Sequence, residues 1–149
     1  VRAVVQRVLD AQVQVSGQCV GNISKGLLVY LGVHKDDTDR DFDYILDKVV
    51  NLRIFPDEDG KMNCSLSAAG GQILVVSQFT LYGDARRGRR PSYGEAADNQ
   101  KGNLYYQRFL YALKEQGIEI ASGQFGADMQ VTYTNDGPVT ILLDSFKNF

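Results

Sequence analysis

The run Gly26-Leu-Leu-Val-Tyr-Leu-Gly-Val33 constrains this chain most. Its apolar residues barely alternate, so the strand it forms is buried on both faces. The run is far too short to cross a bilayer, which takes ~20 residues. It is read as a core strand.

The remaining segments supply more strands. Arg2–Val8 and Ala11–Ser16 are β-prone, with Val13 and Val15 alternating, and Gly17 allows a reversal into Gln18–Ile23. Arg53–Phe55 ends at Pro56, and Asp57-Glu58-Asp59-Gly60 has the chemistry of a turn. Gln72–Ser77, Ile118–Ala121, Met129–Thr134 and Val139–Leu143 follow, the last two separated by Asn135-Asp136-Gly137-Pro138. Phe42, Ile45, Leu46 and Val49 repeat at helical spacing after an Asp/Thr-rich start. Tyr106, Phe109, Leu110 and Leu113 do so within Asn99–Gln116, which Gly117 is placed to end. The expected class is α+β, strand-rich, with about two helices in one domain over residues 1–149.

Several chemistries lose their usual support. With 16 Lys plus Arg against 18 Asp plus Glu, the net charge of -2 leaves no global field to attract nucleic acid, so any RNA contact must be local. No basic-then-apolar leader is legible, which makes the cytoplasm the expected location, with no membrane partner. Cys19 and Cys64 have no neighbour at metal or redox spacing. One histidine and two separated cysteines argue against a catalytic metal, and no phosphate loop or dinucleotide fingerprint points to a cofactor. His34 has no nucleophile pattern beside it and reads as an exposed loop residue.

Three polar features remain. Ser77-Gln78-Phe79-Thr80-Leu81-Tyr82-Gly83-Asp84 follows a hydrophobic strand. Its N–H groups, hydroxyls and amide suit a pocket facing a developing oxyanion, or else a strand end satisfying its own hydrogen bonds. Gly137-Pro138 reads as a turn with an unusual backbone path. Arg86, Arg87, Arg89 and Arg90 form a local basic patch, either a phosphate clamp or a solvated loop.

Ser77-Gln78-Phe79-Thr80 and Asn135-Asp136-Gly137-Pro138-Val139-Thr140, in this order and separation, resemble the signatures of the bacterial-type D-aminoacyl-tRNA deacylase family. Collinear support comes from Arg2–Val8, Asn51–Phe55, Gly60–Asn63, Arg89–Ser92 and Phe125–Met129, so the likeness covers nearly the whole chain. The resemblance implies a barrel-like sheet, a homodimer, and hydrolysis of the ester of D-aminoacyl-tRNA without a cofactor. It implies that Ser77, Gln78, Phe79 and Thr80 line the ester. A cis Gly137-Pro138 loop from the other subunit would then select handedness, with Arg7 holding it and Phe125 and Met129 packed nearby. The partner is the 3′ end of aminoacyl-tRNA rather than DNA, with leakage to glycyl-tRNA. Because no base is evident, a route assisted by the ribose hydroxyl is favoured over Thr80 as covalent nucleophile. The rival readings are a noncatalytic RNA-end-binding module, a serine or threonine esterase of small molecules, and an editor of mischarged achiral or L-aminoacyl-tRNA.

Overall fold

The computed structural model describes residues Val1–Phe149. Its strands are β1 (Arg2–Val15), β2 (Gln18–Ile23), β3 (Gly26–Gly32), β4 (Phe55–Pro56), β5 (Met62–Cys64), β6 (Gln72–Ser77), β7 (Ile120–Ser122) and β8 (Gln130–Asp144). Helices α1 (Asp39–Asn51), α2 (Leu66–Ala69) and α3 (Asn99–Glu115) and a 3-10 turn at Phe79–Tyr82 complete the chain.

The central strand is β1. Its first half pairs antiparallel with β3, from Arg2↔Gly32 to Val8↔Gly26, and its second half pairs with β2. A strand has two edges, so β8, which pairs along β1 from Arg2 to Gln14, takes the other one. From β3 the sheet continues in parallel through β6 to β7. It then curls until β2 meets β7, and the ring nearly closes. At Gly21 the approach is so close that a Cβ would stand 2.4 Å from the carbonyl oxygen of Ser122. Only glycine fits there. β4 and β5 form a separate hairpin whose Asp57 carboxylate accepts from the N–H groups of Asp59 and Lys61, as turn chemistry predicts.

β3 is buried on both faces, with only Tyr30 partly exposed. Alternate residues supply two cores. Leu27, Val29 and Leu31 join Ala3, Val5, Ile73 and Val75 beneath the helices, which contribute Phe42, Ile45 and Val49 from α1 and Tyr106, Phe109 and Leu113 from α3. Leu28 points the other way, into the curl, with Val8, Ala11, Val13, Ile23, Leu74 and Val76. Each helix begins at a polar cap. The N–H and hydroxyl of Thr38 donate to Asp41 at 2.8 and 2.7 Å, and Asp98 accepts from the N–H of Lys101 at 2.8 Å.

Three expectations need correction. Arg2–Val8 and Ala11–Ser16 are one strand, because the ladder absorbs Leu9 as a bulge instead of breaking. Met129–Thr134 and Val139–Leu143 likewise belong to one strand with an extruded loop between them. A third helix, α2, adds to the expected two. It is a single turn with one buried residue, Leu66, too short to show a period.

Because Leu27 is fully buried between strand and helices, Leu27→Ala should lower unfolding free energy by about 2–5 kcal/mol in urea titrations. A loss under about 1 kcal/mol would show that the helix-side core tolerates a void.

Candidate active site

β6 ends at Ser77, opposite Leu31 of β3, and the N–H of Gln78 donates to the Leu31 carbonyl at 2.8 Å. That bond is the last of the ladder. The chain then tightens into the 3-10 turn, closed by Gly83 N–H to Thr80 O at 2.9 Å. The first residues of a helical turn have no acceptor behind them. The N–H groups of Phe79 and Thr80 accordingly have no partner in the chain, and both residues are exposed. The Gln78 amide donates to the Thr80 hydroxyl oxygen and fixes both side chains. Arg2 braces the turn from behind, with Nη1 on the Leu81 carbonyl at 2.9 Å and its guanidinium 4.6 Å from the centre of the Tyr82 ring.

No base reaches this turn from His34. The histidine is buried, contrary to the exposed loop position expected for it, and packs edge-on to Tyr82 and Phe146. Its Nδ1 accepts from the N–H of Asp36 at 3.0 Å, and its Nε2 lies 3.0 Å from Glu95. Both ring nitrogens are therefore occupied. The local sequence hid this because Glu95 is far along the chain.

The second signature is a loop extruded from β8. Gln6 pairs with Thr140 and Val8 with Asn135, so Arg7 alone faces the four residues Asp136–Val139. Asn135 closes the neck, its Nδ2 donating to the carbonyls of Arg7 and Val139 at 3.0 Å each. Arg7 lies under the loop, with Nη1 donating to Ile54 O at 2.7 Å and Nε 3.2 Å from Asp136 Oδ2, an ion pair without hydrogen-bond alignment. The Gly137-Pro138 bond is cis, and both residues are exposed. Gly137 has φ +120°, and a Cβ there would stand 2.9 Å from Arg7 Nη2. The backbone angle calls for glycine there, and a side chain would also displace the Arg7 guanidinium.

The two signatures do not meet within one chain. Ser77 lies in the row of Leu31 and Ala3, whereas the loop lies opposite Arg7, four residues along β1 and three strands across. Standard strand spacings put them about 20 Å apart along the sheet.

Phe125 follows β7, near the end of β6, and is tilted against Tyr106 with centroids 5.9 Å apart. Burial lifts the Tyr106 phenol to about 12, and it donates to the Val75 carbonyl at 2.9 Å. Met129 packs into the curl, its sulfur accepting from the N–H of Gln124. The four arginines lie on a loop closed by paired Asp84 and Ser92 backbone bonds of 2.8 and 2.9 Å. Arg86 is already engaged, its Nε and Nη2 on the Asp84 carboxylate at 2.9 and 2.7 Å. Arg87, Arg89 and Arg90 are exposed. Residue-type reading missed two contributors: Asn135, whose role depends on carbonyls across the ladder, and Tyr93, whose exposed ring packs on Phe79.

Two measurements test these contacts. Asn135→Ala removes both hydrogen bonds that close the neck, so it should cost about 1–3 kcal/mol in urea denaturation. No change would mean the loop is held by Arg7 alone. The Arg86 hydrogen bonds stabilise the ionised Asp84 carboxylate and hold its pKa at about 2. In Arg86→Gln, the carboxyl midpoint followed by carbon NMR should rise toward the ordinary carboxylate range; an unmoved midpoint would exclude Arg86 as the cause.

Relatives share this architecture. The chain is 58% identical over 148 residues to a D-aminoacyl-tRNA deacylase of Thermotoga petrophila and 56% to one of Clostridioides difficile, covering 99% of each chain in both cases. A solved c-Myc DNA unwinding element binding protein superposes with a TM-score of 0.91 at 39% identity, over 97% of this chain and 98% of that one. A probable eukaryotic D-amino acid tRNA deacylase shares the fold with a TM-score of 0.81 at 20% identity, over 96% and 98%. The family model for D-Tyr-tRNA(Tyr) deacylase matches residues 4–144, which span the turn at Phe79–Tyr82, the loop over Arg7 and the sheet between them, and the chain belongs to that family.

Proposed function

We propose that this protein, a single domain over residues 1–149, hydrolyses the ester of D-aminoacyl-tRNA to free D-amino acid and tRNA, a chiral proofreading step of translation in the cytoplasm. The observation that carries the reading is the pair of partnerless N–H groups at Phe79 and Thr80, held at a strand end in a chain of this family. Two such donors fit the oxyanion of a tetrahedral ester intermediate. In the attack, water adds to the ester carbonyl, negative charge collects on its oxygen against these donors, and the ribose oxygen leaves with a proton. The neighbouring ribose hydroxyl serves as the proton relay, since both nitrogens of His34 are engaged elsewhere. Ser77 and Gln78 orient the turn and the Thr80 hydroxyl.

The acting form is a homodimer in which the Gly137-Pro138 loop of one copy enters the pocket of the other. Two features support it. The signatures lie about 20 Å apart along the sheet of one chain, and Leu142 is 55% exposed beside the partly buried Val4 and Tyr30, an apolar patch suited to a second copy. The carbonyls of Gly137 and Pro138 receive the substrate amino group and fill the space an L side chain needs, so handedness is selected by exclusion. Glycine has nothing to exclude, and glycyl-tRNA is a secondary substrate. Phe125 and Met129 form the apolar wall, and Arg87, Arg89 and Arg90, with Arg86 on release from Asp84, meet the tRNA phosphates.

Proline at residue 79 removes one donor at a position where the first turn of a helix tolerates it. Phe79→Pro should therefore cut hydrolysis of D-tyrosyl-tRNA by about 10²–10³, while Thr80→Ala retains most turnover and L-tyrosyl-tRNA is spared by the wild type. Near-complete loss in Thr80→Ala with intact tRNA binding would make Thr80 the nucleophile. Binding without any turnover would favour a noncatalytic RNA-end module.

A further inference from the structure

Two aromatic rings stand in solvent beside the catalytic turn. Phe79 is 56% exposed and Tyr93 is 40% exposed. They pack edge-to-face, with centroids 5.2 Å apart and planes at 70°. In that geometry each ring leaves at least one face free of the other. Neither ring is loose. Phe79 opens the 3-10 turn, and Tyr93 lies on Gly83, where a Cβ would stand 3.1 Å from its Cε1. The paired backbone bonds between Asp84 and Ser92 fix Tyr93 from the other side of the loop.

The loop between those bonds carries Arg87, Arg89 and Arg90, all exposed and without an ion-pair partner in the chain. Open aromatic faces beside fixed positive charge are the chemistry of single-stranded nucleic acid, where bases stack and guanidinium groups meet the backbone. A purely apolar partner would gain nothing from the arginines.

We propose that Phe79 and Tyr93 form a stacking platform for an unpaired base upstream of the terminal nucleoside, with Arg87, Arg89 and Arg90 against its phosphates. The platform deepens the deacylase reading and rests on it. It assigns Tyr93 a binding role. The ester is then presented from two anchors, the terminal nucleoside in the pocket and its neighbour on the rings, which orients the carbonyl toward the donors at Phe79 and Thr80.

The test compares wild type, Tyr93→Ala and Tyr93→Phe on D-tyrosyl-tRNA and on the D-tyrosyl ester of adenosine alone, which lacks the upstream base. Tyr93→Ala should lose about tenfold more kcat/KM on the tRNA than on the adenosine ester, mainly through KM, and Tyr93→Phe should restore it. Equal loss on both substrates, or no loss on either, overturns the platform. Equal loss accompanied by a shift in sedimentation also overturns it and assigns the rings to an interface between copies. If wild type cuts neither ester, the deacylase reading itself fails. The platform is then judged by the Kd for an oligonucleotide bearing the tRNA 3′ sequence: about tenfold weakening in Tyr93→Ala supports it, and an unchanged Kd overturns it.

Discussion

Everything in this fold answers to a strand that no single layer can bury. β3 carries apolar side chains on both faces, and each face is covered differently. Helices α1 and α3 close over Leu27, Val29 and Leu31, while the sheet itself curls round to cover Leu28. The curl requires β1 to be long enough to pair with β3 at one end and β2 at the other, and it brings β2 against β7 at Gly21. Once β1 is committed on that edge, its other edge is free for β8. Both signatures hang on this frame. One ends β6, the strand parallel to β3, and the other is extruded where β8 has four residues for one of β1.

The placement of the signatures explains why each is internally braced. The turn at Phe79–Tyr82 is supported by Arg2 from β1, and the Gly137-Pro138 loop by Arg7 from the same strand. One strand thus holds both halves of the proposed chemistry at opposite ends of its first half. A rigid sheet cannot fold those ends together. In the proposed dimer that separation is useful, because a loop that cannot reach its own pocket is free to serve another.

Much of this was legible in the residues, for physical reasons. The unbroken apolar run marked β3, and helical spacing marked α1 and α3, because burial imposes those periods. The polar stretch after Val76 marked where a buried strand ends, but the 3-10 turn that follows was not legible in it. What escaped depends on distant partners. The Leu9-Asp10 step and the Asn135–Pro138 segment read as breaks, yet the ladder carries the first as a bulge and the second as an extruded loop once strands far apart in sequence pair. The burial of His34 needs Glu95, and the neck of the loop needs the Asn135 amide on carbonyls of two strands. The arginine cluster was visible as charge, but the bidentate Asp84 contact that occupies Arg86 was not.

In the proposed dimer, one working site takes its oxyanion turn from one copy and its chirality loop from another. Mixing Phe79→Pro protein with a Gly137→Ala, Pro138→Ala double variant, after dissociation and reassembly, tests it on D-tyrosyl-tRNA. Each parent alone has no complete site, but half of the randomly reassembled dimers hold one. The mixture should recover about a quarter of the wild-type rate. A mixture as inactive as its parents, with heterodimers present, would contradict it.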